Sequence, residues 1–214
     1  MTTLLTSSPE IPTLADLLSR LGGIPPERVR FYPLPGTATE ADVVEIEARE
    51  NRLCELVDGV LVEKPMGYRE SVLATWIATF LNNFVMPRKL GLVSGADGMM
   101  RLFPGLVRIP DVAFVSWARL PGGRVPSEPI PQLVPDLAVE VLSEGNTKAE
   151  MKRKRGEYFE AGVRLVWLID PQTRTAAVFT GPEQFSTLNE DAALDGGAVL
   201  PGFVLPLREL FASI

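Results

Sequence analysis

Two hydrophobic periods take turns along the chain. Residues 12–22 carry Leu14, Leu17, Leu18 and Leu21 at helical spacing and end in Gly-Gly, which predicts a short amphipathic helix. A connector rich in Pro and Gly follows, then an acidic helix over residues 40–51. RLCELVDGVLVEK alternates apolar and polar positions on both sides of Asp58-Gly59, a pair suited to a tight hairpin because both turn positions need positive φ. Val72, Leu73, Trp76, Ile77, Phe80, Leu81, Phe84 and Val85 return to the helical period and predict one long helix over 68–86, stopped by Pro87. Strands are predicted over 90–94, 98–103, 107–115 and 134–142, with a Pro- and Gly-rich connector over 120–132 before the last of these. A helix over 147–161, the buried strand VRLVWLID, a strand over 175–180 and a helical turn over 207–212 complete the pattern. Strands in a row, a helix, then more strands predict an α/β fold with one mixed sheet and helices on its faces. Residues 1–51 have too few apolar positions for a core of their own, so they are expected to form a helical arm packed on a main domain of residues 52–214.

Composition narrows the chemistry. The chain has no histidine, which excludes Ser-His-Asp and Cys-His nucleophilic machinery. Its one cysteine, Cys54, can form no internal disulfide and cannot build a zinc site, and suits the cytoplasm. Any metal must therefore be held by oxygen, as Mg²⁺, Mn²⁺ or Ca²⁺ is. No P-loop or G-x-G-x-x-G pattern occurs. No signal peptide is expected from MTTLLTSSPEIP, and no apolar run approaches the roughly 20 residues of a membrane span. Against a net charge of −6, five of the 21 Lys and Arg residues fall between Lys148 and Arg155, a basic patch on an acidic body.

That patch directly follows a strand with two carboxylates. Alternation puts Asp136, Ala138 and Glu140 on one face of the 134–142 strand and Leu137, Val139 and Val141 on the other. Asp136, next to Pro135 at the strand start, reads as structural. Glu140 lies among Val139, Val141 and Leu142, where an unpaired charge costs several kcal/mol. Asp111, after Pro110, sits on another apolar strand. Together Asp111 and Glu140 suggest a metal site. Thr147 and Glu150 form a capping box that sets the next helix, and its inward arc then holds Met151, Tyr158 and Lys154, with Arg155 touching its flank. Lys148, Lys152 and Arg153 read equally well as a solvated face or as phosphate contacts. Two acids on strands with an inward lysine suit phosphodiester hydrolysis, in which carboxylates hold a divalent ion and the lysine stabilises charge building on phosphorus.

Pro110-Asp111 followed by Glu140 resembles the PD-(D/E)xK nuclease superfamily. CELVDGVLVEKP, VRIPDVAFV, PDLAVEVLSEGNT, KRGEYFEAGVRLVWLIDP and LPGFVLPLRELF, in that order, resemble the Uma2 family of restriction-endonuclease-like proteins. The resemblance implies a restriction-endonuclease-like core in residues 52–214, with Mg²⁺ or Mn²⁺ at Asp111 and Glu140 and DNA as substrate. The superfamily lysine position, two residues after the second acid, is Leu142 here. The family's K-x-x-x-Y pattern places the lysine at Lys154 instead, and Glu55 matches an acid that would be a further metal ligand. Where many relatives carry a histidine after the first hairpin, this chain has Met66, Gly67, Tyr68 and Arg69. Two other readings stand beside the endonuclease: a non-catalytic nuclease-fold module that contacts DNA or protein, as a homodimer, and a metal hydrolase of small phosphate esters.

Overall fold

The computed structural model describes residues 11–65, 67–212 and 214. Helix α1 (Leu14–Arg20) begins at Thr13, whose hydroxyl accepts from the Asp16 amide. Helix α2 (Glu40–Glu50) opens on a Thr39–Asp42 capping box and closes at Asn51 in the left-handed region. The hairpin forms as expected from β1 (Cys54–Val57) and β2 (Val60–Glu63), with Asp58 at φ 52° and Gly59 at φ 71°. Helix α3 (Tyr68–Arg88) passes through Pro87 and ends at Lys89, in the left-handed region. A proline in the last turn removes only one terminal ladder bond, so the helix outlasts it by a residue.

Strands β3 (Gly91–Ser94) and β4 (Met100–Phe103) follow. The single strand predicted over 107–115 is two strands, β5 (Leu106–Arg108) and β6 (Val112–Ser116), and they belong to different sheets. Pro110 is the reason: it has no N–H for a ladder, and the chain crosses from one sheet to the other around it. Beyond the connector, β7 (Leu137–Val141), α4 (Lys148–Ala161) and β8 (Leu165–Asp170) form a βαβ unit whose two strands are parallel. Then come β9 (Thr175–Phe179), β10 (Phe185–Leu188), β11 (Ala193–Asp195), β12 (Val204–Pro206) and α5 (Leu207–Phe211). The tail is richer in strands than its sequence predicts, because β10 is a mostly exposed edge strand with no apolar run to announce it.

Among the described residues the strands form three sheets rather than one. The mixed central sheet has the order β10-β9-β8-β7-β6-β3, a four-stranded antiparallel sheet has the order β2-β1-β5-β4, and β11 pairs with β12. One face of the central sheet, with Phe114, Val139 and Trp167, packs on Leu73, Ile77 and Leu81 of α3. The opposite face, with Ala113, Ala138 and Val166, packs under Tyr158 of α4. Alternation therefore carries Glu140, two residues after Ala138, toward α4. Among the described residues no helix is long and apolar enough to cross a membrane.

The N-terminal segment fixes the start of α4. Leu17, Leu21, Ile24 and Val29 pack on Val57, Val60 and Val62 of the hairpin. Arg28 reaches α4 directly and holds the buried Glu150 carboxylate through contacts of 2.7 and 3.0 Å. The Thr147 hydroxyl donates to the Gly22 carbonyl at 2.5 Å. Gly22 lies so close to α4 that a Cβ there would stand 2.4 Å from the Glu150 nitrogen, which leaves room only for glycine.

Candidate active site

Asp111 enters the site because the chain changes sheets at Pro110. Its amide donates to the Val139 carbonyl at 3.0 Å, and its Oδ2 accepts from the Val141 amide at 2.6 Å. These bonds tie the carboxylate to the C-terminal half of β7. Its other oxygen, Oδ1, lies 2.8 Å from Nζ of Lys64, which also donates to the Ala96 carbonyl at 3.0 Å.

Glu140 faces α4. Its Oε2 accepts from Lys154 Nζ at 2.9 Å and its Oε1 from the Tyr158 hydroxyl at 2.5 Å. Lys154 and Tyr158 are one helical turn apart, so a single face of α4 grips both oxygens. The capping box at Thr147 and Glu150 sets the phase that turns this face inward. Burial pushes the Glu140 carboxyl up to about 7; Lys154 opposes the rise, and the charge of Asp111 adds to it. Burial and then Glu140 push the Tyr158 hydroxyl well above its ordinary value. Burial works against the Lys154 charge, but Glu140 and Glu55 outweigh it and hold the side chain as an ammonium.

Glu55, on β1, supplies the second carboxylate to Lys154, at 2.8 Å. The same oxygen accepts from the Ile109 amide at 2.9 Å, and the other accepts from Arg108 at 2.6 Å. Burial would raise the Glu55 carboxyl, yet Lys154 and Arg108 hold it well below the usual range. Arg108 bonds Glu157 of α4 as well, so the four-stranded sheet, β7 and α4 meet in one buried network. Lys64 and Arg108 escaped the sequence analysis. Lys64 stands at the end of a hairpin strand and Arg108 at the end of a short strand, places where cations are ordinarily solvated.

The sequence places Asp111, Glu140 and Glu55 as candidate ligands of one ion. Among the described residues no group of three or more acidic or cysteine side chains is arranged to hold a metal ion. Glu55 differs from the other two acids in its charge balance: it meets two cations, Lys154 and Arg108, whereas Asp111 pairs with Lys64 and Glu140 with Lys154. Asp111 and Glu140 remain, two oxygen donors close enough for one charge to raise the other's pKa. That donor set fits Mg²⁺ or Mn²⁺, which commonly take one or two carboxylates and complete their shell with water and phosphate oxygens.

The family model described as "Putative restriction endonuclease", Uma2, matches residues 41–208. The chain belongs to the Uma2 family. Among solved structures it is similar to "a putative nuclease belonging to DUF820" from Anabaena variabilis, with a TM-score of 0.68 and 21% identity, over 76% of this chain and 91% of that one. At that identity the likeness speaks for the fold, a mixed α/β nuclease fold. No curated protein matches.

Within this Uma2 chain the remaining charges of the basic segment divide. Arg153 bonds Glu157, Asp58 and the Arg20 carbonyl and so serves as a structural link. Arg155 stacks over the Phe179 ring at 4.3 Å. Lys148 and Lys152 are exposed. With Arg155 they line a cavity of about 680 Å³ whose wall includes Leu142, Ser143 and Glu144, the residues that leave β7 after Glu140. A second cavity, of about 420 Å³, shares Ser143, Glu144 and Gln172 and adds Pro65 and Arg69. The loop after Glu140 thus walls both hollows. Asp136 lies apart, held by Arg119, Arg164 and the Ser116 amide.

Proposed function

We propose that this Uma2 protein is a Mg²⁺- or Mn²⁺-dependent endonuclease of DNA, with Asp111 and Glu140 as metal ligands and Lys154 at the reacting phosphate. The observation that carries this reading is the meeting of Asp111, at the entry to β6, and Glu140, on the neighbouring β7, with an ammonium that two carboxylates hold in place. The bound ion would supply an activated water and offset charge on the phosphoryl oxygens. The Val141 amide orients Asp111, and Tyr158 with Lys154 orients Glu140. Lys154 has three donors and gives two to Glu55 and Glu140, which leaves one for a phosphoryl oxygen as the water oxygen bonds to phosphorus and the bond to the leaving sugar oxygen breaks. As a firmly charged ammonium it stabilises the transition state electrostatically and is not a base. Lys148, Lys152 and Arg155 would meet neighbouring phosphates along the cavity wall.

The test is Mn²⁺ titration calorimetry on the wild type, Asp111→Asn and Glu140→Gln, with melts as folding controls and plasmid nicking as the activity readout. Binding and nicking lost in both variants with the fold retained is the expected result. Normal nicking by Glu140→Gln would overturn the mechanism. One observation favours the non-catalytic module: all three acids and Lys154 are at least 95% buried, and the net charge of −6 opposes DNA. That reading predicts DNA or protein binding without Mn²⁺ affinity.

A further inference from the structure

The two lysines of the site are held differently. Lys154 is clamped between Glu55 and Glu140, so it keeps a carboxylate partner whatever Glu140 does. Lys64 has one carboxylate partner, Asp111, and one neutral partner, the Ala96 carbonyl. The Asp111 oxygen it takes is the one not tied to the Val141 amide. Any cation bound by Asp111 through that oxygen meets Lys64 first.

We infer that Lys64 is a displaceable counter-ion of Asp111 that sets the divalent-ion affinity of the site. This rests on the reading of Asp111 and Glu140 as metal ligands. Without an ion, the ammonium neutralises a carboxylate that would otherwise be buried without a cationic partner, and so it stabilises the fold. When a divalent ion is held, Lys64 loses its carboxylate and stands as a like charge beside the ion. The Ala96 carbonyl, 3.0 Å from Nζ, gives it somewhere to stay, and the bond of the Lys64 amide to the Leu53 carbonyl, at 2.9 Å, fixes its backbone. Lys64 is therefore a positioning residue whose energetic effect on folding and on ion binding has opposite signs. An ordinary structural residue would weaken both together.

The experiment is Mn²⁺ calorimetry without nucleic acid on the wild type, Lys64→Met and Lys64→Arg, with melts at zero and saturating Mn²⁺. Lys64→Met keeps the apolar stem and removes the charge. It should melt lower than wild type without Mn²⁺, bind Mn²⁺ on the order of tenfold more tightly because a neighbouring like charge is gone, and gain more melting temperature from the ion. Lys64→Arg should keep the wild-type affinity within a few-fold. If Lys64→Met fails to fold without ion, rescue by Mn²⁺ at concentrations below the wild-type Kd supports the inference, and failure to rescue overturns it. Unchanged or weaker binding by folded Lys64→Met, with a wild type that binds, overturns the role of Lys64 alone. No binding by either protein overturns the metal reading and this inference together.

Discussion

Asp136 and Glu140 stand four residues apart on the same face of one stretch of chain, both buried, and their surroundings could hardly be less alike. Asp136 meets the guanidinium of Arg164 at 2.7 Å, that of Arg119 at 2.9 Å and the Ser116 amide at 2.7 Å. Both arginines reach solvent, so the carboxylate is paid back by planar donors at the rim of the fold. Glu140 meets an amine and a phenol, both deeply buried, and sees the charge of a second carboxylate, Asp111. The first arrangement is complete in itself. The second leaves a carboxylate whose pKa is pushed up to about 7, which a further cation would relieve. Burial alone does not mark a functional acid; the lesson lies in whether its charge is already satisfied.

The sharpest way to break this comparison is to neutralise each acid without changing its shape. Glu140→Gln should lower nicking by at least about 100-fold, the scale of losing a charge-stabilising group, while Asp136→Asn should leave nicking and Mn²⁺ affinity unchanged. Equal losses in both would erase the distinction. Next in size, Lys154→Met strips the shared cation from Glu55 and Glu140. Breaking a buried pair this way should cost about 3–5 kcal/mol in urea melts, more than removal of Arg164, whose side chain is 49% exposed and whose partner Asp136 keeps Arg119.

The pH dependence sharpens the same contrast. The Glu140 carboxyl has its folded pKa raised from 4.5 to about 7, so the folded state binds the proton more tightly. Its contribution to stability is full below about 4.5 and is lost as pH rises through about 7, on the order of 3 kcal/mol. Glu55, with its pKa depressed, works in the other direction: its contribution is present above 4.5 and lost as pH falls below that. Metal-free melts should therefore decline between pH 4.5 and 7 in the wild type, and that slope should flatten in Glu140→Gln. An unchanged slope would assign it to another group. Smallest of all, Lys152→Gln should leave stability within about 0.5 kcal/mol. The salt slope of DNA affinity should fall by about one if this exposed lysine meets a phosphate.

Much of the site was legible from local pattern. Alternation put Glu140 with Ala138 on the face that meets α4, and the capping box at Thr147 set the phase that brings Lys154 and Tyr158 inward. Both are short-range effects, decided by a period of two and a period of 3.6. Where the pattern misled, a proline or a contact from a distant segment intervened. Pro110 split one predicted strand between two sheets, and that crossing is what tucks the Asp111 carboxylate under β7.

By itself the sequence determined which chemistries were open to this protein. With no histidine and one cysteine, imidazole catalysis and a zinc site were closed and any metal was left to oxygen ligands, and five ordered motifs pointed to the Uma2 family. Tertiary structure alone decided how the charges were shared: Glu55 to Lys154 and Arg108, Asp111 to Lys64, Asp136 to two rim arginines. These pairs join residues from about 20 to 100 positions apart along the chain. No local periodicity encodes such partners; packing brings them within reach, and the cost of burying an unpaired charge then selects them.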